Sequence, residues 1–452
     1  MSEDNRICVI GAGRIGLPIS VRLSEVGCSV SILEVDEGRV AEINSSKSPF
    51  FEEGMQESLS AGVSEGRIKA TSEISEISNC NVIISAIGTG IGEDGTPDID
   101  SLEELVGMLA KFLSYGDLLI LKTTLPIGTT ERISEMLAST TGLKLDQELM
   151  VAFCPERIVE GKAMQELATL PKIVGGIGER SADRAASIMG LFGGNVIRVT
   201  DSRTAEMCKL LDNAYRITRF GFAADVAAVA QRTGIDAFEA IRASNDGYPR
   251  NNIPLPSVGV SGYCLTKDPY YLDSVVKELW EERGFPSTWI SARMAADMQT
   301  MESIISIREE FDGSLENRVI VVAGITYKEN VDDTRLSHGR EIIQHIKQEC
   351  EEIRIWDPMS AEDELFGIPV SRDASVLEGS DCLLITVPHT DFVNWAENPE
   401  ECSRMRTKLI FDGWGIFSGR VNEFGARVIG TGLGGTKHNI RGDLDSRFTQ
   451  KG

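Results

Sequence analysis

Residues 7–17 read ICVIGAGRIGL, and they decide the fold of the first part of the chain. A short apolar run leads into the pattern G-x-G-x-x-G, formed by Gly11, Gly13 and Gly16, at the start of a helical pattern. In such a turn the first glycine permits a tight bend, the second lets the backbone approach a pyrophosphate, and the third lets helix and strand pack closely. The helix N-terminus then directs free N–H groups at phosphate. The pattern predicts a dinucleotide site, and the alternative is a purely structural glycine-rich turn.

An acidic side chain follows the next apolar run, SILEVDEGR, in which Glu34 lies about 20 residues beyond the turn. A carboxylate there accepts hydrogen bonds from both ribose hydroxyls and repels a 2′-phosphate, so the sequence favours NAD over NADP. Asp36 is the alternative acid. Arg39 keeps NADP open, although its side chain could equally contact the adenosine ribose or solvent.

The rest of the chain alternates between strand-like and helical patterns. Candidate strands in the first part are 7–10, 29–33, 82–85, 118–122 and 150–153. Residues 203–231 lack proline and predict one long helix, a glycine- and proline-rich stretch covers 246–269, and helical pattern returns from 271 to about 310. A second alternating unit begins at residue 318. We predict an α/β fold with two doubly wound Rossmann-like domains, joined by a central helical domain with one long helix. The predicted domains are 1–200, 201–310 and 311–452.

The composition restricts the classes of partner. The chain has 452 residues, of which 42% are apolar, and its formal net charge is −24. Such a charge opposes sequence-independent nucleic-acid binding and attraction to anionic membranes, so an anionic substrate needs a local basic pocket. Nine cysteines without a CxxC pair indicate reduced thiols, and we expect a cytoplasmic protein with neither a signal peptide nor a membrane span. No cluster has zinc spacing, so we predict no metal.

The segment GVSGYCLTKDP, residues 259–269, is the sharpest candidate for chemistry. Two glycines make a flexible loop before Cys264, and Lys267 and Asp268 follow within one turn. A thiol needs a nearby cation or base to become a nucleophile. A buried inert cysteine is the competing interpretation.

Other polar residues stand where ligands are usually bound. Lys209 and Asn213 are spaced i, i+4 on one face of the long helix, which on a solvated face would be unremarkable. Glu156, in CPERIVEGKA, and Thr123 and Thr124, in KTTLPIGT, follow strand ends, where open α/β sheets bind ligands.

The joint order of these motifs resembles the UDP-glucose/GDP-mannose dehydrogenase family over residues 7 to about 435. The motifs are the glycine-rich turn, KSPFFEEG, KTTLPIGTT, CPERIVEGKA with PKIVGG, the helix with Lys209 and Asn213, the cysteine loop, and GITYKENVDDTRLSHG. The resemblance implies that Cys264 captures an aldehyde made by a first hydride transfer and that the resulting thiohemiacetal gives a second hydride to a second NAD. Hydrolysis of the thioester would then release Cys264. Lys209 and Asn213 would stabilise the oxyanion. Thr124, Glu156 and Asp268 would hold or activate water.

The resemblance also implies which residues bind ligands. The NAD set is Gly11, Gly13, Arg14, Ile15, Gly16, Glu34, Arg39, Thr89 and Thr124. The substrate set is Glu156, Arg157, Lys209, Asn213, Arg250, Gly262, Tyr263, Tyr327, Lys328 and Arg335. Lys328 and Arg335, in the third domain, would bind the nucleotide diphosphate. YPRNNIPLPSVGVSGYC is most similar to the UDP-N-acetylmannosamine dehydrogenase branch, with UDP-glucose or UDP-N-acetylglucosamine as alternatives, and a homodimer through the middle helices is implied.

Four positions depart from the family pattern, but none of these departures removes a proposed catalytic group, and other functions stay open on separate grounds. Ser261, Ala296, Trp414 and His338 stand where the family usually, or in some members, has Gly, Asn, Arg and Pro, and His389 is interpreted as structural or substrate-side. One alternative is a β-hydroxyacid dehydrogenase, which needs one hydride transfer and no cysteine. Another is a non-catalytic sugar-nucleotide binding protein.

Overall fold

The chain forms two compact units, each built on its own β-sheet. The structure is a computed structural model and describes residues 5–92, 95–418, 420 and 425–433. One unit comprises the chain up to Ala214 together with Lys267–Pro286, and the other comprises Tyr215–Thr266 together with the chain from Ser287 onward. The predicted α/β fold with two Rossmann-like sheets and a central helical region is confirmed. The three domain boundaries remain a prediction.

The first unit contains an eight-stranded sheet in the order β10-β9-β8-β7-β4-β1-β2-β3. Neighbouring strands are parallel except β8 and β9, which are antiparallel. The strands are β1 (Arg6–Ile10), β2 (Ser29–Leu33), β3 (Ile68–Thr71), β4 (Val82–Ser85), β7 (Leu118–Leu121), β8 (Met150–Phe153), β9 (Lys172–Gly176) and β10 (Val196–Arg198), and a separate hairpin is formed by β5 (Gly90–Ile91) and β6 (Pro97–Asp98). All five predicted strands of this unit are present.

The strands are apolar throughout because both faces of the sheet are covered. In β1, Ile7 and Val9 belong to one buried cluster. Cys8 and Ile10 belong to another, since successive side chains point to opposite faces. This two-sided burial is typical of parallel sheets with helices on both sides.

The second unit contains a seven-stranded sheet in the order β13-β14-β12-β11-β15-β16-β17, antiparallel only between β13 and β14. Its strands are β11 (Val319–Ala323), β12 (Glu352–Trp356), β13 (Glu364–Leu365), β14 (Ile368–Ser371), β15 (Cys382–Ile385), β16 (Leu409–Asp412) and β17 (Arg427–Gly430). Two buried clusters again cover its two faces.

Helices connect the strands and fill the middle of the chain. They are α1 (Gly16–Glu25), α2 (Glu37–Asn44), α3 (Met55–Ser64), α4 (Asp100–Leu109), α5 (Thr129–Thr141), α6 (Ala163–Thr169), α7 (Glu179–Gly190), α8 (Ser202–Thr233), α9 (Ala237–Asn245), α10 (Tyr263–Asp273), α11 (Lys277–Arg283), α12 (Thr288–Glu310), α13 (His338–Ile346) and α14 (Thr390–Ala396). Short 3-10 turns occupy Ile74–Asn79, Ala374–Leu377 and Glu400–Arg404. Helix α8 confirms the predicted long helix. Among the described helices, none combines the length and the apolar character that crossing a bilayer requires.

One boundary was predicted wrongly. The sequence placed residues 246–269 in a glycine- and proline-rich stretch, but α10 already begins at Tyr263 and continues through Pro269. A proline inside a helix removes one hydrogen bond and disfavours the helical conformation of the residue before it. Side-chain contacts support the turns on either side. The Thr266 hydroxyl donates to the Gly262 carbonyl over 3.0 Å, and the Lys267 ammonium lies 4.5 Å from the Tyr271 ring centre.

Candidate active site

The glycine-rich turn has the geometry that a pyrophosphate needs. Gly11 has φ +93°, a left-handed conformation that favours glycine. A Cβ on Gly16 would lie 1.8 Å from the Gly11 carbonyl oxygen, so only glycine fits where α1 meets the turn. A Cβ on Gly13, in contrast, would have no protein atom within 4 Å. The backbone of Gly13 is therefore open to a ligand at the start of a helix, which fits a dinucleotide phosphate.

Glu34 lies beside this turn, which is the position required of a carboxylate that accepts hydrogen bonds from ribose hydroxyls. Its Oε2 accepts the Ala12 N–H at 2.8 Å, and its Oε1 accepts the Asp36 N–H at 3.1 Å. Arg39 Nη1 lies 3.4 Å from the same carboxylate. Asp36, the alternative acid, instead caps α2 by accepting the Arg39 N–H at 3.1 Å. Glu34 is thus the better placed of the two acids.

The KSPFFEEG segment supports the turn from the side. The Arg14 guanidinium pairs with Glu160 and lies 4.9 Å from the centre of the Phe50 ring. Glu52 accepts the N–H groups of Gly161 and Ala163 at 2.8 and 2.7 Å. The side chain of Arg14 is therefore engaged with the protein. Ile15, which directly precedes α1, has a half-buried side chain.

A buried carboxylate brings several predicted site residues together. Asp268 is fully buried and lies 2.7 Å from the Lys267 ammonium through Oδ1. Its Oδ2 accepts from Asn213 Nδ2 at 2.5 Å and from Thr124 Oγ1 at 3.3 Å. Thr89 Oγ1 in turn donates to the Thr124 carbonyl at 2.8 Å. An amide has two N–H donors, so Asn213 can bind Asp268 and still donate to a ligand.

Helix α8 presents Lys209 one turn before Asn213, and Glu206 fixes the position of the helix. Glu206 is fully buried and accepts the N–H groups of Gly128 at 2.6 Å and Thr130 at 2.7 Å, with the Thr130 hydroxyl at 2.6 Å. Burial raises the pKa of Glu206 despite these hydrogen bonds. The sequence analysis missed this residue, although its spacing from Lys209 places it on the same helix face.

Glu156 is held by its own ion pair. It is buried, and its Oε2 lies 3.1 Å from the Lys122 ammonium. Its Oε1 accepts the N–H groups of Arg157 and Ile158 at 2.8 and 3.1 Å. Burial raises the pKa of this carboxyl, but the Lys122 charge and the backbone hydrogen bonds more than offset that, so its pKa lies below the usual range. Lys122 is a second residue that the sequence analysis missed.

The neighbours of Glu156 are fixed as well. Arg157 donates to the Pro171 carbonyl at 2.6 Å and lies 3.6 Å from Asp212. Burial raises the pKa of the Cys154 thiol to about 12, so this cysteine stays protonated and packs as a small apolar residue.

In the second unit, Cys264 follows Tyr263 in the first turn of α10. All nine cysteines are within the described residues, and Cys264 alone is exposed. Tyr263 is 45% exposed. Gly262 precedes them with φ +91°, and a Cβ on it would lie 2.7 Å from the Tyr327 ring. The interpretation of Cys264 as a buried inert thiol is therefore wrong.

The remaining predicted substrate residues of the second unit lie in the segment between β11 and α13 and in the stretch between α9 and α10. Tyr327 and Lys328 are half-buried after β11, and the Lys328 carbonyl accepts the Thr326 hydroxyl at 2.9 Å. The Arg335 side chain is 68% exposed and lies 2.6 Å from Asp333. Arg250 is exposed and donates to the Tyr248 hydroxyl at 2.8 Å.

The residues that depart from the family pattern are engaged in local contacts. Trp414 donates its indole N–H to the Thr386 carbonyl at 2.7 Å. Ala296 is buried, and the neighbouring Asp297 pairs with Arg293. Buried His338 lies 3.0 Å from the Thr300 hydroxyl through Nδ1.

His389, interpreted from the sequence as structural or substrate-side, makes several hydrogen-bond contacts inside the second unit. Fully buried, it accepts the Asn330 N–H at Nδ1 over 3.0 Å, while its Nε2 lies 3.0 Å from Thr326 Oγ1 and 3.5 Å from Asp357. His389 therefore fastens the loop that follows β11.

Comparison with known proteins agrees with this geometry. Sequence models of the UDP-glucose/GDP-mannose dehydrogenase family match residues 5–192 (NAD binding domain), 203–294 (central domain) and 321–419 (UDP binding domain). The UDP-N-acetyl-D-mannosamine dehydrogenase of Pyrococcus horikoshii is 32% identical over 94% of this chain and 99% of its own length. An NDP-N-acetyl-D-galactosaminuronic acid dehydrogenase of Ralstonia solanacearum is 28% identical over 92% of this chain and 96% of its own.

A solved structure extends the likeness to the fold. That of the UDP-D-ManNAc dehydrogenase from Pyrococcus horikoshii superposes with a TM-score of 0.85 and 30% identity, covering 95% of this chain and 99% of the other. Together with the matches to an NAD binding and a UDP binding domain, this defines an oxidoreductase that uses an NAD-type cofactor and a UDP-sugar. The chain belongs to the UDP-glucose/GDP-mannose dehydrogenase family.

Proposed function

We propose that the chain oxidises the C6 hydroxymethyl group of a UDP-hexose or UDP-N-acetylhexosamine to a carboxylate, with UDP-N-acetylmannosamine as the preferred substrate. The reaction removes four electrons in two hydride transfers to NAD, and Cys264 holds the sugar between them. The similarity to UDP-N-acetyl-D-mannosamine dehydrogenases supports this choice of sugar.

One observation carries the proposal. Helix α10 exposes the Cys264 thiol in its first turn, and one turn later it buries Asp268, which is bonded to Asn213 and Thr124. The first turn of a helix favours negative charge, which suits a thiolate. Helix α10 thus carries an accessible thiol nucleophile and, four residues later, a carboxylate that orients Asn213, and the proposed oxidation uses both groups.

The covalent steps balance as follows. After loss of the first hydride and the hydroxyl proton, the Cys264 sulfur bonds to the aldehyde carbon. The π bond of the carbonyl opens, and its oxygen takes up the thiol proton to give a thiohemiacetal. Loss of a second hydride and of the hydroxyl proton gives a thioester. Water then adds to the carbonyl, the C–S bond breaks, and the carboxylate and the Cys264 thiol are released. NAD, when bound at the glycine-rich turn, supplies the hydride acceptor for both oxidations.

Lys209 and Asn213 stabilise the oxyanion in this scheme. Asn213 is oriented by Asp268 and retains one N–H donor, and the half-buried Lys209 supplies a positive charge. Two positioned donors, one of them charged, act most strongly on the charge that develops in the transition state. Thr124, Glu156 and Asp268 orient water for the hydrolysis.

The nucleotide binds through local cations. With a net charge of −24 the protein repels anions at long range, so a diphosphate needs a positively charged patch. We assign this role to Lys328 and to Arg335, which is exposed beside its partner Asp333, and we assign the exposed Arg250 to the sugar.

The decisive assay incubates the protein with NAD and each of four sugars: UDP-N-acetylmannosamine, UDP-N-acetylglucosamine, UDP-glucose and GDP-mannose. We expect two NADH per molecule of the preferred sugar and no turnover by Cys264→Ala. Cys350→Ala is the matched control, because burial raises the pKa of that thiol to about 12 and its loss should leave turnover unchanged. One NADH per substrate with an active Cys264→Ala variant would favour a β-hydroxyacid dehydrogenase. Binding without NADH would favour a non-catalytic protein.

A homodimer through the middle helices is part of the proposal. Helix α8 exposes Tyr215, Phe222 and Val229, each seven residues apart, to 64%, 52% and 60%. Helix α12 exposes Met294 and Met298, four residues apart, to 56% and 60%. Exposed apolar stripes of this kind usually mark protein interfaces. Light scattering should give twice the chain mass for the wild type and the monomer mass for Phe222→Asp.

A further inference from the structure

Two segments of the second unit are joined by hydrogen bonds. We call residues Gly259–Gly262 the cysteine loop, because they lead into Cys264, and residues 327–338 the nucleotide segment. Ser261 Oγ donates to the Tyr327 carbonyl at 2.7 Å. The Gly262 N–H donates to the Leu336 carbonyl at 3.3 Å. The cysteine loop is thus bonded near both ends of the nucleotide segment.

The same two segments are in close packing contact. Gly259 has φ +144°, and a Cβ on it would lie 2.7 Å from His338 Cε1. A Cβ on Gly262 would lie equally close, 2.7 Å, to a ring carbon of Tyr327. Neither contact leaves room for another methyl group, so the two segments pack directly against each other at these two points.

Each segment, and the residue that precedes the cysteine loop, also makes hydrogen bonds to other parts of the second unit or within itself. Arg293, in α12, donates to the Val260 carbonyl at 2.7 Å, and Thr300 of the same helix donates to the Val258 carbonyl at 3.1 Å. Within the nucleotide segment, the Tyr327 N–H donates to the Asp333 carbonyl at 2.9 Å, and Asp333 also binds Arg335. Each segment is therefore held by contacts of its own, and the Ser261 hydroxyl is a specific side-chain link between them.

We propose that Ser261 is a positioning residue that couples the nucleotide segment to the cysteine loop, so that a bound uridine diphosphate restrains the thiol of Cys264. The inference rests on the proposed function, since it assumes that the diphosphate binds Lys328 and Arg335. A bound diphosphate that holds the nucleotide segment in place also restrains the cysteine loop bonded to it. The Cys264 thiol then adopts less often the conformations in which it reacts with external reagents. The thiol is held for reaction only when the nucleotide is present.

Alkylation of Cys264 measures this coupling without turnover. Full-length protein is treated with iodoacetamide, with and without saturating UDP and in the absence of NAD, and the Cys264 peptide is quantified by mass spectrometry. In alkylation the sulfur displaces iodide from the reagent carbon. A coupling carried by one hydrogen bond corresponds to about fivefold slower alkylation in the presence of UDP.

Three variants locate the link. Ser261→Ala should reduce the effect of UDP to less than about twofold, because the bond to Tyr327 is lost. Ser261→Thr, which keeps the hydroxyl, should restore it. Ser257→Ala is the matched control: its hydroxyl donates to the Gly259 carbonyl at 2.6 Å, a bond within the stretch that leads to Cys264, so the UDP effect should persist.

The outcomes separate this inference from the proposed function. If calorimetry detects UDP binding to the wild type but UDP does not slow alkylation, the coupling is refuted and the proposed function stands. The same holds if Ser261→Ala responds to UDP as the wild type does, which would indicate direct shielding of the thiol. If the wild type does not bind UDP at all, the proposed function fails, and the coupling fails with it.

Discussion

Replacing Glu206 with alanine tests how the face of α8 that carries Lys209 and Asn213 is held in place. The change removes a fully buried carboxylate that accepts hydrogen bonds from Gly128 N–H, Thr130 N–H and the Thr130 hydroxyl, all between 2.6 and 2.7 Å. Each buried donor left without a partner costs about 1–3 kcal/mol, and such costs do not add fully. We therefore expect a loss of about 3–5 kcal/mol in the free energy of unfolding, which at about 2–4 °C per kcal/mol lowers Tm by roughly 6–20 °C.

Urea and thermal unfolding, followed by circular dichroism, measure this loss. Glu131→Ala is the matched control, since Glu131 is exposed and its 3.4 Å pair with Arg203 joins the same two helices. An exposed pair contributes at most about 1 kcal/mol, so the control should unfold nearly as the wild type does. If Glu206→Ala loses no more stability than Glu131→Ala, the claim that this carboxylate fixes α8 against the start of α5 is refuted.

Three further predictions follow from the structure. Gly13→Val should fold normally, because a Cβ at this position points into open space. Overpacking against the cofactor should cost about 1–3 kcal/mol and weaken NAD binding about 5- to 150-fold in a fluorescence titration. Unchanged affinity would contradict the assignment of the phosphate site. Lys209→Ala should lower kcat by about 100- to 1,000-fold with little change in KM, and an effect on KM alone would contradict its role at the oxyanion. Burial raises the pKa of Asp357, but hydrogen bonds from His389 and from backbone N–H groups lower it further, so the net pKa lies below its usual value. Because the unfolded pKa is about 3.9, the interaction stabilises the folded protein above this pH, and the stabilisation is lost as the pH falls through the folded pKa. Asp357→Asn should therefore make the free energy of unfolding depend less on pH in the acid range. An unchanged dependence would contradict this account.

Features that depend on local sequence were predicted well. The turn around Gly11 and Gly16 requires glycine for reasons confined to a few residues, and the apolar strands are readable because both faces of each sheet are buried. Helix α8 followed from a proline-free run of helix formers. Cys264 was recognisable because glycines and charges surround it, which is unusual for a buried thiol.

Features that depend on contacts distant in sequence were missed. Glu206 binds residues 76 and 78 positions away, and Lys122 pairs with Glu156 across two strand ends. The spacing of Glu206 from Lys209 and the place of Lys122 at a strand end were visible in the sequence, but the distant partners that bury them were not. The start of α10 was missed for a different reason, since Pro269 predicts a helix boundary and tertiary contacts override that preference.

The second sheet has the same close contact between two glycines as the first, although its sequence lacks the glycine-rich pattern. A Cβ on Gly339 would lie 2.2 Å from the Gly324 carbonyl oxygen, and a Cβ on Gly16 would lie 1.8 Å from the Gly11 carbonyl oxygen. Asp357 directly follows β12, as Glu34 follows β2, and it accepts the Ile325 N–H at 2.6 Å. Because the two glycines are separated by a long insertion, no G-x-G-x-x-G pattern remains. The acid of this sheet is also engaged by His389, which leaves it less available to a ribose than Glu34.

The central claim is that Cys264 carries the sugar as a thioester, and rapid-quench mass spectrometry of the working enzyme tests it directly. With NAD and UDP-N-acetylmannosamine, acid quenching within the first turnover should yield the Cys264 peptide bearing the acyl group of the oxidised nucleotide sugar. An enzyme that releases two NADH per substrate while that peptide stays unmodified at every time point would contradict the account.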